Sequence, residues 1–374
     1  MDHSKKLCPL PWVHLSYHTD GFQRACCHTE STEYNTNDSG NILHQENIGS
    51  ALNTQFLKDI RLKMLRDEEP NVCRGCFSAE QEFGASARLK YRNIYHDQLE
   101  GLLEGTDESG EAKPELVNWI DFSFGNLCNL SCEMCGPDYS SKLQGKIKGP
   151  VSDKVTERLK RINSFTATDK TSKLKVLHNV KKIAFQGGEP LLSKGHKPLL
   201  RSLLESGKTE YIEYNTNLTF LDEEVISLWK EFKSVKLYIS LDEVGESASR
   251  IRKGINWDNF DSNIKKIIKN RIEFSFVTTI QALNVLRLPK ILSYLKNEYG
   301  LNHCPDFIPI VSPGFLSISS IRSSEIDFVL SELKGESYFE SGNDSLENLI
   351  SFLESHQYNE ENAFRYQVYL KRNS

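Results

Sequence analysis

Three cysteines in the middle of the chain have the spacing of a metal-cluster ligand set. Cys128, Cys132 and Cys135 form a C-x3-C-x2-C pattern directly after an apolar, β-rich stretch. Three thiolates match three irons of a cubane cluster and leave one iron without a protein ligand, whereas an electron carrier normally supplies all four thiolates. The pattern therefore indicates a cluster whose fourth iron is open to a small molecule. The alternative is a structural zinc site completed by a distant histidine, although such sites usually use paired C-x2-4-C spacings.

A second group of cysteines, near the start of the chain, predicts a second site. Its members are Cys8, Cys26, Cys73 and Cys76, with Cys27 as the alternative to Cys26. Cytosolic thiols stay reduced, so cysteines in a chain without an apolar export signal are better explained as metal ligands or reactive groups than as disulfides. Two pairs of cysteines indicate one four-thiolate site. A structural zinc ion also binds such a set.

The segments around the early cysteines carry structural signals of their own. Asp20-Gly21 is a strong hairpin signal and predicts two short strands between Cys8 and Cys26. Its spacing from that turn makes Cys26 the preferred ligand. An amphipathic helix is predicted over 56–65, before the second cysteine pair. Three histidines close to these cysteines keep a mixed Cys/His site open: His14, His18 and His28.

After an acidic, Gly-rich stretch at 100–114, which predicts an exposed linker, β-rich runs alternate with helical patterns. The helical patterns include 199–204 and 259–268, where apolar residues recur at i, i+3 and i+4. The six predicted strands are 116–122, 180–185, 211–214, 235–240, 272–277 and 306–311. Strand–helix repetition indicates an α/β fold with a parallel sheet, here a partial (β/α)6 TIM-like barrel. In barrels the functional groups lie at the C-terminal ends of the strands.

Polar groups follow the next three predicted strands. The second strand ends in Gln186-Gly-Gly-Glu-Pro190, whose paired glycines let the backbone approach a ligand that a Cβ would obstruct. The third ends in Asn-Thr-Asn at 215–217, and the fourth in Ser-Leu-Asp-Glu at 240–243. Arg252 comes next, and a guanidinium forms a bidentate fork with carboxylates. Two neighbouring cations are alternatives to it: Arg250 and Lys253.

Together these motifs resemble those of radical S-adenosylmethionine enzymes. In that family such a triad binds a 4Fe-4S cluster, and the amino and carboxylate groups of S-adenosylmethionine chelate the open iron. The resemblance implies that the Gly-Gly-Glu-Pro element meets the methionine ammonium and that Arg252 pairs with the methionine carboxylate. Met134 stands where the family often has an aromatic residue, and its thioether is able to pack beside adenine. The cofactor contacts implied are Met134, Gln186, Gly187, Gly188, Glu189, Asn217, Ser240, Asp242 and Arg252.

The early cysteines resemble the auxiliary-cluster module of SPASM/twitch radical enzymes, placed here before the barrel instead of after it. The resemblance implies that Cys8, Cys26, Cys73 and Cys76 hold a second 4Fe-4S cluster. It also predicts a division of the chain into an auxiliary module at 1–110, a radical SAM partial barrel at 111–320 and a helical extension at 321–374. The extension carries two amphipathic patterns, at 326–330 and 346–353.

The resemblance implies a reaction in which reductive cleavage of S-adenosylmethionine gives a 5′-deoxyadenosyl radical that abstracts hydrogen from a substrate. The twitch-type relatives suggest a peptide or protein residue as the substrate, with nucleotides, tRNA or small metabolites as alternatives. An external donor such as flavodoxin or ferredoxin would supply the electron. The competing hypothesis is a non-catalytic iron–sulfur or zinc protein that carries electrons or binds a partner, which has no need of a cofactor cradle.

Composition and charge limit the domain number, the binding partners and the location that we expect. The 374 residues predict two or three domains of ordinary globular composition, and the net charge of −5 argues against a generally basic nucleic-acid-binding surface. Apolar runs fall far short of the roughly 20 residues that cross a bilayer, so we expect a cytosolic protein without membrane contact. Cys304 stands alone, which is typical of a small buried side chain, and we leave it unassigned.

Overall fold

The computed structural model describes residues 6–29, 40–84, 86–147, 149–310, 312–335 and 344–373. These residues divide into two compact units. The first is Met1–Cys128, Pro137–Asn215 and Asp222–Val235, and the second is Asn129–Gly136, Thr216–Leu221 and Lys236–Ser374. The central cysteine motif is therefore shared: Cys128 belongs to the first unit, and Cys132 and Cys135 belong to the second.

The strands of the described chain are β1 His14–Tyr17, β2 Gln23–Arg24, β3 Trp119–Ser123, β4 Lys182–Gln186, β5 Tyr211–Thr216, β6 Ser234–Ser240, β7 Glu273–Ile280 and β8 Asp306–Pro309. In the first unit β1 pairs antiparallel with β2 and parallel with β3, and the parallel pairing continues through β4 to β5. In the second unit β6, β7 and β8 are parallel neighbours in that order.

Helices follow most of the strands. The α-helices are α1 Leu10–Val13, α2 Ile48–Leu52, α3 Gln55–Leu65, α4 Arg74–Phe83, α5 Ala87–Ile94, α6 Leu99–Glu104, α7 Ser141–Gln144, α8 Asp153–Ala167, α9 His196–Ser206, α10 Glu223–Trp229, α11 Ala248–Ile251, α12 Trp257–Lys269, α13 Leu288–Tyr299, α14 Ser323–Gly335, α15 Asp344–Glu354 and α16 Glu360–Asn373. Short 3-10 helices lie at Ile42–His44, Asn71–Cys73, His96–Gln98, Pro114–Leu116, Thr171–Lys173, Lys175–Asn179, Pro190–Leu192, Gly245–Ser247, Val285–Arg287, Gly314–Leu316 and Ile318–Ser320. Within the described ranges, none of these helices has the length and apolar character that a bilayer crossing requires.

The predicted α/β class is confirmed, and the six predicted strands of the sheet are β3 to β8. Burial alternates along β4, where Ile183 and Phe185 are fully buried and Gln186 lies on the other face. In the register with β3, Ser123 is the partner of Gln186 and Asp121 is the partner of Ala184. One face of the first unit's sheet is therefore apolar and packed, and the other carries polar groups near the strand ends.

The predicted hairpin near the start is confirmed as β1 and β2, with Gly21 at φ 79° in the connecting turn. The first strand is shorter than predicted, because Pro11 falls in the first turn of α1 and the chain is helical up to Val13. The parallel pairing of β1 with β3 was not predicted. It places the early cysteine segment directly beside the strand that leads to Cys128.

The predicted exposed linker at 100–114 is wrong in part. Helix α6 covers its first residues and buries Leu99 and Leu102, which lie three residues apart on one helix face. Farther along, the Gly110 carbonyl accepts a 2.7 Å hydrogen bond from Arg61 Nε, and Arg61 is itself fully buried. The acidic and glycine-rich composition of this segment gives no sign of its buried leucine or of its hydrogen bond to Arg61.

The predicted helical tail is confirmed as α14, α15 and α16. The Tyr366 hydroxyl of α16 donates a 3.0 Å hydrogen bond to the carbonyl of Ala282, two residues after β7. The last helix is thus tied to the C-terminal end of a strand in the second unit.

Candidate cluster and cofactor site

The first part of the central cysteine loop is held by side chains and backbone of the first unit. The backbone N–H of Cys128 donates to Ser141 Oγ at 3.4 Å. Asn126, almost fully buried, donates from Nδ2 to the Pro137 carbonyl at 3.0 Å. These bonds fix the loop on both sides of Leu127. The path of the backbone that leads to Cys128 is therefore set before any cofactor binds.

The Gly-Gly turn after β4 is hydrogen-bonded directly to this loop. The N–H of Gly188 donates to the Gly125 carbonyl at 3.0 Å, and the N–H of Glu189 donates to the Leu127 carbonyl at 2.7 Å. A Cβ on Gly187 would lie 2.7 Å from the Gly125 oxygen, and one on Gly188 would lie 2.2 Å from the Leu127 oxygen. Only glycine permits this contact between the two loops.

Two polar side chains, one on each side of the Gly-Gly pair, lie beside the turn. Gln186 is half-buried, and its Nε2 atom is enclosed without a hydrogen-bond partner among the described residues. Glu189 is almost fully buried and accepts a 3.1 Å hydrogen bond from the Leu191 N–H. A buried amide that the protein does not satisfy is suited to a polar ligand.

The remaining cysteines of the motif belong to the second unit, where residues 251–254 brace them. The N–H of Ser131 donates to the Lys253 carbonyl, and the N–H of Glu133 donates to the Ile251 carbonyl, each at 2.9 Å. Lys253 also forms an ion pair with Glu133. The backbone on both sides of Cys132 is therefore fixed by the segment that carries Arg252.

Arg252 lies between Cys132 and a buried carboxylate. Its Nε is 2.8 Å from Asp242 Oδ2, and its Nη1 is 3.8 Å from the sulfur of Cys132. Asp242 is fully buried after β6 and accepts a 2.7 Å bond from the Thr279 N–H. The sequence predicted a methionine carboxylate as the partner of Arg252; within this unit its carboxylate partner is Asp242, and the cofactor contact stays a prediction.

Burial and the charge of Arg252 shift the pKa values of Cys132 and Asp242 in opposite directions. Burial raises the pKa of the Cys132 thiol, and the positive charge of Arg252 lowers it. Burial likewise raises the pKa of Asp242, and Arg252 opposes that shift. Arg252 thus favours the charged thiolate of Cys132, which is the form that binds metal.

Asn217 is tied to the start of the same cysteine segment. Its Nδ2 donates to Asn129 Oδ1 at 3.2 Å, and its Oδ1 accepts from the Thr219 hydroxyl at 2.6 Å. Asn129 completes the ring by donating to the Thr219 oxygen at 2.8 Å. Met134 and Ser240 are half-buried in this unit. The predicted cofactor contacts of these side chains stay predictions.

The early cysteines surround a cavity of about 310 Å³ in the first unit. Cys8, Cys26, Cys73 and Cys76 all line it, so the structure brings together the four predicted ligands. Apolar and basic side chains contribute to the remaining wall: Leu10, Val72, Ala87 and Arg88. Cys27 lies elsewhere, with His14 and Asp121.

Burial disfavours the charged thiolates of this cavity when no metal is bound. Burial raises the pKa of the Cys8, Cys26 and Cys73 thiols, and the charge of neighbouring thiolates raises each pKa further. Four thiolates at such close quarters need a metal to stay deprotonated. A zinc ion would draw all four sulfurs to about 2.3 Å from one point, whereas this cavity has room for a multi-atom cluster. The donor set and the volume fit a 4Fe-4S cluster.

Sequence reasoning missed the contact between His14 and Asp121. His14 Nε2 lies 3.0 Å from Asp121 Oδ2, and both residues are buried. The signal available in the sequence was the acidic residue inside the otherwise apolar stretch Trp119–Phe122, because a buried carboxylate needs a partner. The partner's identity depends on the β1–β3 pairing.

Comparisons with known proteins agree with the central motif. Residues 122–292 match the Radical SAM superfamily. Molybdenum cofactor biosynthesis protein 1 of Dictyostelium discoideum is 28% identical over 152 residues, which are 40% of this chain and 22% of that protein. GTP 3′,8-cyclase of Vibrio atlanticus is 23% identical over 186 residues, which are 48% of this chain and 51% of that protein.

Two solved structures resemble part of this chain. The structure of anSMEcpe with bound AdoMet is 20% identical, with a TM-score of 0.40 over 58% of this chain and 60% of that chain. Streptococcus suis SuiB bound to S-adenosylmethionine is 11% identical, with a TM-score of 0.37 over 75% of this chain and 60% of that chain.

The segment that matches the Radical SAM superfamily, residues 122–292, is a little under half of the chain. The family implies a 4Fe-4S cluster and S-adenosylmethionine as cofactors. The matched segments span about a fifth and about half of the two curated relatives.

Proposed function

We propose that this chain is a radical SAM enzyme that holds a 4Fe-4S cluster on Cys128, Cys132 and Cys135 and cleaves S-adenosylmethionine reductively. The observation that carries the proposal is the pair of hydrogen bonds from Gly188 and Glu189 to the carbonyls of the loop before Cys128. A ligand loop with three thiolates and a glycine turn packed on it is a cofactor cradle, which a simple electron carrier does not need.

The chemistry comes from the bound groups and the positioning from the protein. When bound, the cluster and S-adenosylmethionine supply a 5′-deoxyadenosyl radical able to abstract a hydrogen atom from a substrate. Glycine-only contacts hold the turn against the ligand loop, and the amide of Gln186 offers a donor there. The Arg252 guanidinium, kept in place by Asp242, supports the thiolate of Cys132.

We further infer that Cys8, Cys26, Cys73 and Cys76 hold an auxiliary 4Fe-4S cluster. The cavity that these four cysteines line is large enough for such a cluster. An external protein such as flavodoxin or ferredoxin would supply the electron. The apolar wall of the cavity, including Leu10 and Val72, limits the access of water to the sulfurs.

The proposed substrate is a residue of a peptide or protein, because the cysteine-rich module resembles that of peptide-modifying radical enzymes. A nucleotide is the second candidate, since one of the curated relatives is named GTP 3′,8-cyclase. Incubation with candidate peptides and with GTP, followed by mass spectrometry, separates the two classes.

The test is anaerobic purification, iron reconstitution and detection of 5′-deoxyadenosine after addition of dithionite and S-adenosylmethionine. About eight irons per chain are expected for two cubanes. Replacing Cys128, Cys132 or Cys135 with alanine should abolish the product and remove about four irons. Cys304→Ala is the matched control and should retain both. Product formation by a triad variant with reduced iron would contradict the proposal.

A further inference from the structure

We propose that His14, Cys27 and Asp121 form a binding site for one zinc ion, separate from the cavity of the four cysteines. One donor atom of each residue lies within 4.8 Å of the other two. His14 Nε2 lies 3.0 Å from Asp121 Oδ2. Tetrahedral zinc with its usual bond lengths separates neighbouring ligand atoms by about 3.4–3.6 Å. Small side-chain adjustments bring the three donors to that spacing.

The donor set suits zinc in type and in charge. Imidazole nitrogen, thiolate sulfur and carboxylate oxygen are the three donors that zinc takes from proteins. The thiolate of Cys27 and the carboxylate of Asp121 would together neutralise a divalent ion. Three protein ligands leave the fourth tetrahedral position open to water or a substrate atom, as in catalytic zinc sites.

The sheet holds two of the ligands in position before any ion binds. In the β1–β3 register His14 is the partner of Trp119, and Ser16 is the partner of Asp121. His14 and Asp121 are therefore on the same face of adjacent parallel strands. The His14 ring stacks on Trp119 with centroids 3.8 Å apart and planes 23° apart, which fixes its orientation.

Burial adds a reason for a ligand at this point. His14 is 1% exposed and Asp121 is 3% exposed. The imidazole and the carboxylate are buried in contact with each other, next to a thiol, and together these three groups supply the donors of a metal site.

The assignment also explains the two adjacent cysteines. Cys26 lines the cavity with Cys8, Cys73 and Cys76, whereas Cys27 lies with His14 and Asp121. The two side chains therefore lie in different sites. One completes a four-thiolate set, and the other supplies the single sulfur of a mixed site.

The test measures zinc and iron separately in the iron-reconstituted full-length protein. The protein is purified anaerobically, supplied with zinc, desalted and analysed by inductively coupled plasma mass spectrometry. We expect about one zinc per chain, reduced at least about tenfold in Cys27→Ser and in His14→Ala while iron is unchanged. Cys26→Ser should show the opposite pattern, with iron reduced and zinc kept. Far-UV circular dichroism confirms that the variants are folded, and Asp121→Asn provides a variant of nearly unchanged shape.

X-ray absorption at the zinc edge identifies the ligands without interference from iron. The expected shell contains one sulfur and two or three nitrogen or oxygen neighbours. The proposal is overturned if zinc binding is the same in wild type and Cys27→Ser, or if the shell has four sulfurs and is lost in Cys26→Ser. The four-sulfur result would also remove the auxiliary cluster from the proposed function. A protein that lacked iron but kept the mixed zinc shell would refute the function and leave this site standing.

Discussion

At the scale of single residues, the contact between Arg252 and Asp242 links the metal-ligand loop to the buried end of a strand. Asp242 is fully buried, and the guanidinium that compensates it also reaches the sulfur of Cys132. The carboxylate holds Arg252 beside the thiolate, and its own charge raises the pKa of Cys132. It is a positioning residue for the ligand loop.

We expect Asp242→Asn to destabilise the protein by about 3 kcal/mol, because the substitution leaves a buried guanidinium without its counter-charge. Glu361→Gln is the matched control, since Glu361 pairs with Arg365 on the exposed surface of α16 and exposed pairs contribute little. Thermal unfolding of both variants, followed by circular dichroism without bound metal, makes the comparison. Equal losses in the two variants would show that Asp242 does not hold Arg252 in place.

A second residue-scale prediction concerns Lys170, whose buried ammonium donates to the carbonyls of Phe124 and Thr168. Burial lowers the pKa of Lys170 from 10.5 to about 8. Between these two values the unfolded chain carries a proton that the folded chain has lost, so this residue's contribution to stability rises with pH in that window.

The comparison of wild type with Lys170→Met isolates this contribution. The stability of wild type relative to the variant should increase from pH 8 towards pH 10.5, as measured by unfolding midpoints at several pH values. Lys194→Met, which replaces an exposed lysine, is the control for the substitution itself. A pH-independent difference for Lys170→Met would contradict the prediction.

At the scale of elements, the turn after β4 and the loop after β3 act as one unit. The parallel register places the ends of these strands side by side, with Ser123 opposite Gln186. Two backbone hydrogen bonds then join the segments that follow. The shape of the ligand loop therefore depends on the absence of a side chain in the neighbouring turn.

Gly188→Ala tests this dependence. Its Cβ would lie 2.2 Å from the Leu127 oxygen and 2.6 Å from the carbonyl carbon of Asn126, so the loop that carries Cys128 has to move. We expect the variant to lose about four irons per chain after reconstitution and to form no 5′-deoxyadenosine. Gly136→Ala is the control beside the same motif, because no described atom outside its chain neighbours lies within 4 Å of its added Cβ. Full iron content in Gly188→Ala would show that the close contact is dispensable.

The strands and helices could be predicted from the sequence, but the long-range pairing between strands could not. The strands β3 to β8 follow from local apolar runs, and the hairpin of β1 and β2 follows from Asp20-Gly21, because both signals lie within a few residues. The pairing of β1 with β3 joins segments about a hundred residues apart, and no local pattern encodes it. For that reason the cysteine motifs could be predicted from spacing, whereas the contact of His14 with Asp121 could not. The same holds for the carboxylate partner of Arg252 within the second unit.

At the scale of the whole molecule, seven of the nine cysteines fall into two sets on different parts of the chain. Cys8, Cys26, Cys73 and Cys76 line one cavity of the first unit, and Cys128, Cys132 and Cys135 share a single short loop. No residue belongs to both sets, so the two proposed clusters should assemble independently.

Cys73→Ser and Cys76→Ser should therefore each lower the iron content from about eight to about four per chain. Because the ligand loop and its glycine turn are unchanged, both variants should still release 5′-deoxyadenosine with dithionite and S-adenosylmethionine, while modification of the substrate is lost. Iron analysis and chromatography of the same samples make the measurement, with Cys304→Ser as the control that removes a buried cysteine outside both sets. If both activities disappeared together in folded protein, the two sites would be coupled in assembly, and a full iron complement in either variant would remove these cysteines from the ligand set.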